Sequence, residues 1–116
     1  MASCDTAIRA LCKSLGKEYR VTTIDFERVI YRDFGNGFNV EISGVHTTSK
    51  HKKATIYLWH GDKALSCILV DTVPDVARED IAEVVENLLD FSNGLIASGI
   101  DTRDKVFNWK YHRQGV

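Results

Sequence analysis

The chain is poor in residues that interrupt, staple or anchor a fold. Pro74 is the single proline among 116 residues, so no proline-rich linker divides the chain. The three cysteines, Cys4, Cys12 and Cys67, are an odd number without Cys-x-x-Cys spacing, which argues against a disulfide framework or a zinc site and for a reducing compartment. Neither sign of charge dominates: fifteen Lys and Arg stand against sixteen Asp and Glu, a net charge of -1. Such a chain has no whole-molecule field to draw in bulk nucleic acid or an anionic membrane. No apolar run approaches the ~20 residues that a bilayer-spanning helix needs, and Met1 to Asp5 lacks the charged-then-apolar order of a secretory signal. A cytoplasmic location is expected.

Catalytic patterns are also missing. His46, His51, His60 and His112 are scattered, without the i, i+4 pair of a helical zinc site. Gly35-Asn36-Gly37 leads into a strand and offers no helix N-terminus to a pyrophosphate. Glu41 is followed by Ile42-Ser43, so the Glu-x-Lys of a metal-dependent nuclease is absent. Cys67, read as facing the core, lies too far along the strand from His60 for a nucleophile and base pair. The residues therefore point to a protein that is not an enzyme and needs no metal or cofactor.

What is present is a pattern of strands between helices. Hydrophobic residues make up 44% and charged residues 27%, the balance of one globular domain over residues 1–116. Asp5 is placed to cap a first helix whose apolar face is Ile8, Leu11, Cys12 and Leu15, and Gly16 to end it. A short edge strand is expected between residues 17 and 27. Two hairpins then follow. In the first, Asn36-Gly37 is the preferred pair for a type I′ turn. A two-residue loop there would set Asp33 opposite Val40, Arg32 opposite Glu41 and Tyr31 opposite Ile42. Val29, Tyr31, Phe38, Val40 and Ile42 would then share one face, and Ile30, Arg32, Phe34, Asn39, Glu41 and Ser43 the other. The second hairpin is expected to turn at Gly61-Asp62, with Ile56, Leu58, Leu65, Cys67 and Leu69 in the core and Tyr57, Trp59, Ile68 and Val70 opposite.

Between the hairpins, Lys50, His51, Lys52 and Lys53 read as a solvated loop rather than a phosphate site. Pro74 is expected to stop the sheet and Asp75 to cap a long amphipathic helix with Ile81, Val84, Val85, Leu88 and Leu89 on one face. Its outer stripe of Glu79, Glu83, Glu86 and Asp90 is a solvated face or the footprint of a basic partner. The helix is expected to run past Gly94 towards Gly99. Asp101 to Asp104 open a last segment, Lys105 to Arg113, which is a docking helix or a strand. The fold class is thus α+β: an antiparallel meander of four to five strands, preceded by one helix and covered by a long amphipathic helix.

The surplus feature is aromatic. Tyr57 and Trp59 with Arg32, and around them Arg28, Phe34, Arg103 and Arg113, combine flat ring faces with guanidinium forks, a pairing suited to bases and phosphates. These rings are either a ligand-binding surface or are covered by the C-terminal segment or a second subunit, and a homo-oligomer is expected.

Tyr31-Arg32-Asp33-Phe34-Gly35-Asn36-Gly37-Phe38-Asn39-Val40-Glu41-Ile42-Ser43-Gly44 with Ala54-Thr55-Ile56-Tyr57-Leu58-Trp59 resembles small accessory proteins of phages and prophages. The resemblance spans the meander and the following helix, and carries no catalytic motif. It implies a non-enzymatic antagonist of bacterial defence in the cytoplasm of a bacterial host. Such a protein would sequester a cyclic or other signalling nucleotide at a subunit interface, as the Thoeris anti-defence sponges do, or block a bacterial defence protein, as anti-CRISPR proteins do.

Overall fold

A computed structural model of the chain describes residues 4–49, 51–62 and 66–114, and only the backbone of Asp62, Ser66 and residues 112–114. Helix α1 (Cys4–Leu15) comes first and buries Ile8 and Cys12. Gly16, at φ +132°, lets the chain leave the helix as its amide donates to the Cys12 carbonyl. Asp5 lies inside the first turn rather than ahead of it, and its carboxylate turns to Arg28 and His46 instead of capping.

Five antiparallel strands follow in meander order: β1 (Arg20–Ile24), β2 (Glu27–Asp33), β3 (Phe38–Ser43), β4 (Ala54–Asp62) and β5 (Ser66–Val76). The expected α+β class is what the chain forms. The register of the first hairpin, however, differs from the two-residue-loop expectation. Asp33 pairs with Asn39, Tyr31 with Glu41 and Ile30 with Ile42. The loop is longer because Gly35 and Gly37 take positive φ, at +76° and +94°, while Asn36 does not; a type I′ turn needs positive φ at both central residues. A slip of one position turns every side chain of β2 over. Ile30 and Arg32 therefore face the helices, and Val29 and Tyr31 face away. The two-residue turn with both φ positive is at Asp25-Phe26, at +50° and +67°, between the paired Ile24 and Glu27.

The second hairpin also departs from expectation. Gly61 and Asp62 are strand residues paired with Cys67 and Ser66, so they do not form the turn, and Leu65 lies outside the described residues. Register shifts between Ala54 and Ile56, and between Leu58 and Trp59, re-aim the first half of β5. Ile68 and Val70 are buried in the core, while Cys67 and Leu69 align with the opposite face. Pro74 does not end the sheet. It sits within β5, an edge strand, where a missing amide hydrogen leaves no ladder bond unmade. Asp75 is likewise in β5 and caps nothing.

After a 3-10 turn at Arg78–Asp80, helix α2 (Ile81–Ala97) buries Ile81, Val85, Leu88, Ser92 and Leu95. It passes through Gly94 and ends where Gly99, at φ +84°, lets the Ile100 amide donate back to the Leu95 carbonyl at 2.8 Å. Helix α3 (Arg103–Gln114) settles the last segment as a docking helix. The Thr102 hydroxyl accepts from the Lys105 amide at its start, Val106 is fully buried, and Lys110 donates through Nζ to the Leu69 carbonyl.

The buried side chains of all three helices join one cluster with Ile30, Phe38, Val40, Ile42, Ile56, Leu58, Ile68 and Val70. These come from one face of the sheet. The helices thus form a single layer, and the opposite face of the meander lies outside that cluster.

Candidate functional site

On that opposite face the register aligns side chains into rows. Arg20 faces Tyr31, Tyr31 faces Glu41, Glu41 faces Tyr57 and Tyr57 faces Thr72, one row across all five strands. Beside it run Asp33, Asn39, Trp59 and Leu69. The Arg20 guanidinium carbon lies 4.9 Å from the centre of the Tyr31 ring, and the Tyr57 and Trp59 rings are 6.4 Å apart. Cation–π attraction between β1 and β2 and a ring contact along β4 hold these groups in place.

Two polar residues are buried on this face although no helix crosses it: Asn39, 4% exposed, and Glu41, 9% exposed. Glu41 lies between the Tyr31 and Tyr57 positions, and Asn39 between Asp33 and Trp59, so neighbouring side chains shield them. Asn39 donates through Nδ2 to the Gly61 carbonyl at 3.0 Å, while its Oδ1 is buried without a hydrogen-bond partner among the described residues. A buried acceptor left unpaired costs about 1–3 kcal/mol.

The hollow bordered by Arg20, Thr22, Tyr31, Asp33, Asn39 and Gly61 has a volume of about 620 Å³. Gly35 and Gly37 of the β2–β3 loop form its end. Its charged rim residues, among those described, are Arg20 and Asp33. Hydroxyl, amide and carboxylate groups thus stand beside the flat ring of Tyr31, the equipment for stacking and hydrogen bonding.

The residues singled out from sequence do not all meet here. Tyr57 and Trp59 lie on the open face. Arg32 points to the helix side, where it donates to Glu86 Oε1 at 2.9 Å and to the Tyr19 hydroxyl at 3.3 Å. Burial works to lower its pKa, but the bonds to Glu86 and Tyr19 outweigh this and raise it. Burial likewise raises the Tyr19 phenol above its ordinary value, against the Arg32 bond. Phe34 packs on the core cluster, with the Arg32 guanidinium carbon 5.3 Å from its ring centre. Arg28 approaches Asp5 at 3.4 Å. Arg103 begins α3, away from the sheet rows, and the Arg113 side chain lies outside the described residues.

Arg20, Tyr31, Asp33 and Asn39 are the site residues that the sequence reading passed over. The signal for Tyr31, Asp33 and Asn39 was Gly35, the extra glycine ahead of Asn36-Gly37, which permits a longer loop and so the other face for Tyr31. Cys67, expected in the core, is half-buried on the open-face side, and His60 faces the helices. Comparison with protein-family models, with curated proteins and with solved structures finds no match to this chain.

Proposed function

We propose that this chain is a non-enzymatic binding protein that holds a nucleotide on the open face of its sheet. The observation that carries the reading is the hollow beside the row Arg20, Tyr31, Glu41 and Tyr57. Its volume of about 620 Å³ falls within the range of ligand pockets, roughly 300–1,000 Å³. Aromatic faces contribute about 1–3 kcal/mol for each stacked base. Arg20 supplies a fork for phosphate oxygens, and Asp33 and the Asn39 amide supply acceptors for the amino and imino hydrogens of a base edge.

Charge narrows the ligand class. Arg20 and Asp33 cancel at the rim, so among the described residues the hollow has no surplus positive charge to offset the several charges of a triphosphate. A cyclic nucleotide, with one negative charge for each phosphodiester, suits the site better. Sequestration of such a signalling nucleotide in a bacterial host is the role this binding serves, in keeping with the resemblance to phage accessory proteins.

A thermal-shift panel of cyclic nucleotides, linear nucleotides and nucleosides tests the proposal. A ligand present at one hundred times its Kd adds about 2.7 kcal/mol to stability, a rise of roughly 10 °C for a domain of this size. The Arg20→Ala and Tyr31→Ala variants, which change the hollow itself, should lose that rise. If no compound shifts the melting temperature, the reading fails, and a macromolecular partner on the same face becomes the better account.

A further inference from the structure

The two edges of the sheet are treated differently. β5 carries Pro74, two register shifts against β4, and Asp75 at φ +57°, devices of the kind that stop an edge strand from pairing with another chain. β1, Arg20-Val21-Thr22-Thr23-Ile24, has no proline, pairs with β2 without a shift, and has its one charge at its first residue. It is built mostly of strand-forming side chains.

β1 ends in a tip of unusual cost. Phe26 takes φ +67°, a conformation that a bulky side chain rarely adopts, and its side chain is fully exposed. It therefore adds nothing to the core, while its backbone bears strain. The acidic Asp25 precedes it, while the Glu27 carboxylate that follows turns back to accept from the Ser43 hydroxyl and the Gly44 amide. At the other end of the same strand, on the helix side, is a second cavity of about 400 Å³. Cys12, Tyr19 and Val21 supply its apolar lining, and Arg9, Lys13 and Lys17 its basic rim.

The geometry points to a two-fold dimer in which β1 of one copy pairs antiparallel with β1 of a second copy, and each Asp25-Phe26 tip seats in the basic-rimmed cavity of the other. A two-fold axis at Thr22 brings the tip and the cavity together. It pairs Ile24 of one copy with Arg20 of the other, so that the Asp25-Phe26 turn that follows Ile24 comes beside Tyr19 and Glu18 of the other copy, next to Lys17. An apolar knob with an acidic neighbour, Asp25, then meets an apolar cavity with a basic rim. Each copy gives and receives one knob, so the interface is closed, unlike a head-to-tail contact that would propagate. The pairing joins two five-stranded sheets into one and extends the β1 wall of the open-face hollow, Arg20 and Thr22, onto the second copy. The dimer does not depend on the ligand.

Sedimentation equilibrium of the full chain across micromolar concentrations tests this. The expected result is a dimer mass for the parent and at least tenfold weaker association for both Phe26→Asn and the double variant Lys13→Glu/Lys17→Glu. These side chains are exposed, so all three proteins should melt cooperatively. Zero-length carbodiimide coupling in a mixture of ¹⁴N- and ¹⁵N-labelled chains should join Lys13 or Lys17 of one chain to Asp25 of another. A monomeric parent at the highest concentration, or a dimer that persists in either variant, would overturn the inference.

Discussion

Asn36 donates from Nδ2 to the Ser92 hydroxyl at 3.0 Å, joining the β2–β3 loop to the middle of α2. The same nitrogen donates to Asn93 Oδ1 at 2.9 Å, and Asn36 Oδ1 accepts from the Phe38 amide at 3.0 Å. Asn36 is thus a clasp between sheet and helix, and its role is different from that of a type I′ residue. At a type I′ position an Asn→Gly change costs little, because glycine also accepts positive φ. Here Asn36→Gly removes three hydrogen bonds, one of them from the buried Ser92, whose hydroxyl keeps its bond to the Leu89 carbonyl. The expected loss is about 2 kcal/mol, read as a lower urea midpoint with an unchanged slope.

Val85 tests the helix layer. It is fully buried, with Ile81 and Leu88 on the same stripe of α2. Val85→Asp would place a carboxylate among Leu58, Ile42 and their neighbours in the cluster, where no partner is available to a newly introduced charge. The variant is expected to lose its cooperative unfolding transition, followed by far- and near-ultraviolet circular dichroism. A parent-like melt would contradict the packing of α2 on the sheet.

How much of this was legible in the sequence follows from what each signal measures. The stripe from Ile81 to Leu89 is a 3.6-residue period, and α2 formed where it fell. Tyr57 and Trp59 alternate with Ile56 and Leu58, and period two placed them on the face away from the helices. Register is different, because it depends on loop length. Asn36-Gly37 is locally suited to a two-residue turn, but Gly35 opens a longer one and the Asn36 clasp to α2 holds it there. That tertiary contact lies 56 residues away in sequence, beyond any local pattern. It reversed β2, took Arg32 out of the expected site and put Tyr31 into it. The Asp25-Phe26 turn was hidden for a related reason: neither residue is a glycine or an asparagine, so strand pairing imposes a backbone that the side chains resist. Pro74 misled because a proline stops only a strand whose amide is needed.

The exchange of faces gives Arg20 and Arg32 opposite expected phenotypes. Arg32 is bonded to Glu86 and Tyr19 and lies 5.3 Å from two ring centres. Arg32→Ala is expected to lower stability by about 1–2 kcal/mol while leaving nucleotide affinity within twofold. Arg20 is exposed and contacts the Tyr31 ring, so Arg20→Ala should change stability by less than about 0.5 kcal/mol. The same change should weaken nucleotide binding at least tenfold. Chemical denaturation and calorimetric titration of the two variants measure the contrast, and equal losses of affinity would place the ligand elsewhere.

His60 carries the expected pH dependence. Its side chain is buried on the helix side of the sheet, 4.7 Å from Phe38 between ring centres. Desolvation lowers its pKa below the ordinary histidine value, and the Asp101 backbone only partly offsets this. The folded protein therefore holds the neutral imidazole at pH values where the unfolded chain has already bound a proton. Stability rises with pH wherever the unfolded state binds more protons. The contribution of His60 is thus complete above about pH 6.5, the unfolded value, and is lost as the pH falls from there towards the lower folded value. Asp5 acts in a separate window. The His46 hydrogen bond lowers its pKa against a small desolvation, so its part is lost only below the ordinary carboxylate range. Urea midpoints measured between pH 8 and pH 5 should decline on the acid side for the parent. In His60→Gln, which stays neutral throughout, the same interval should be flatter even though the variant is less stable at every pH. An identical decline in both proteins would assign the acid sensitivity to another group.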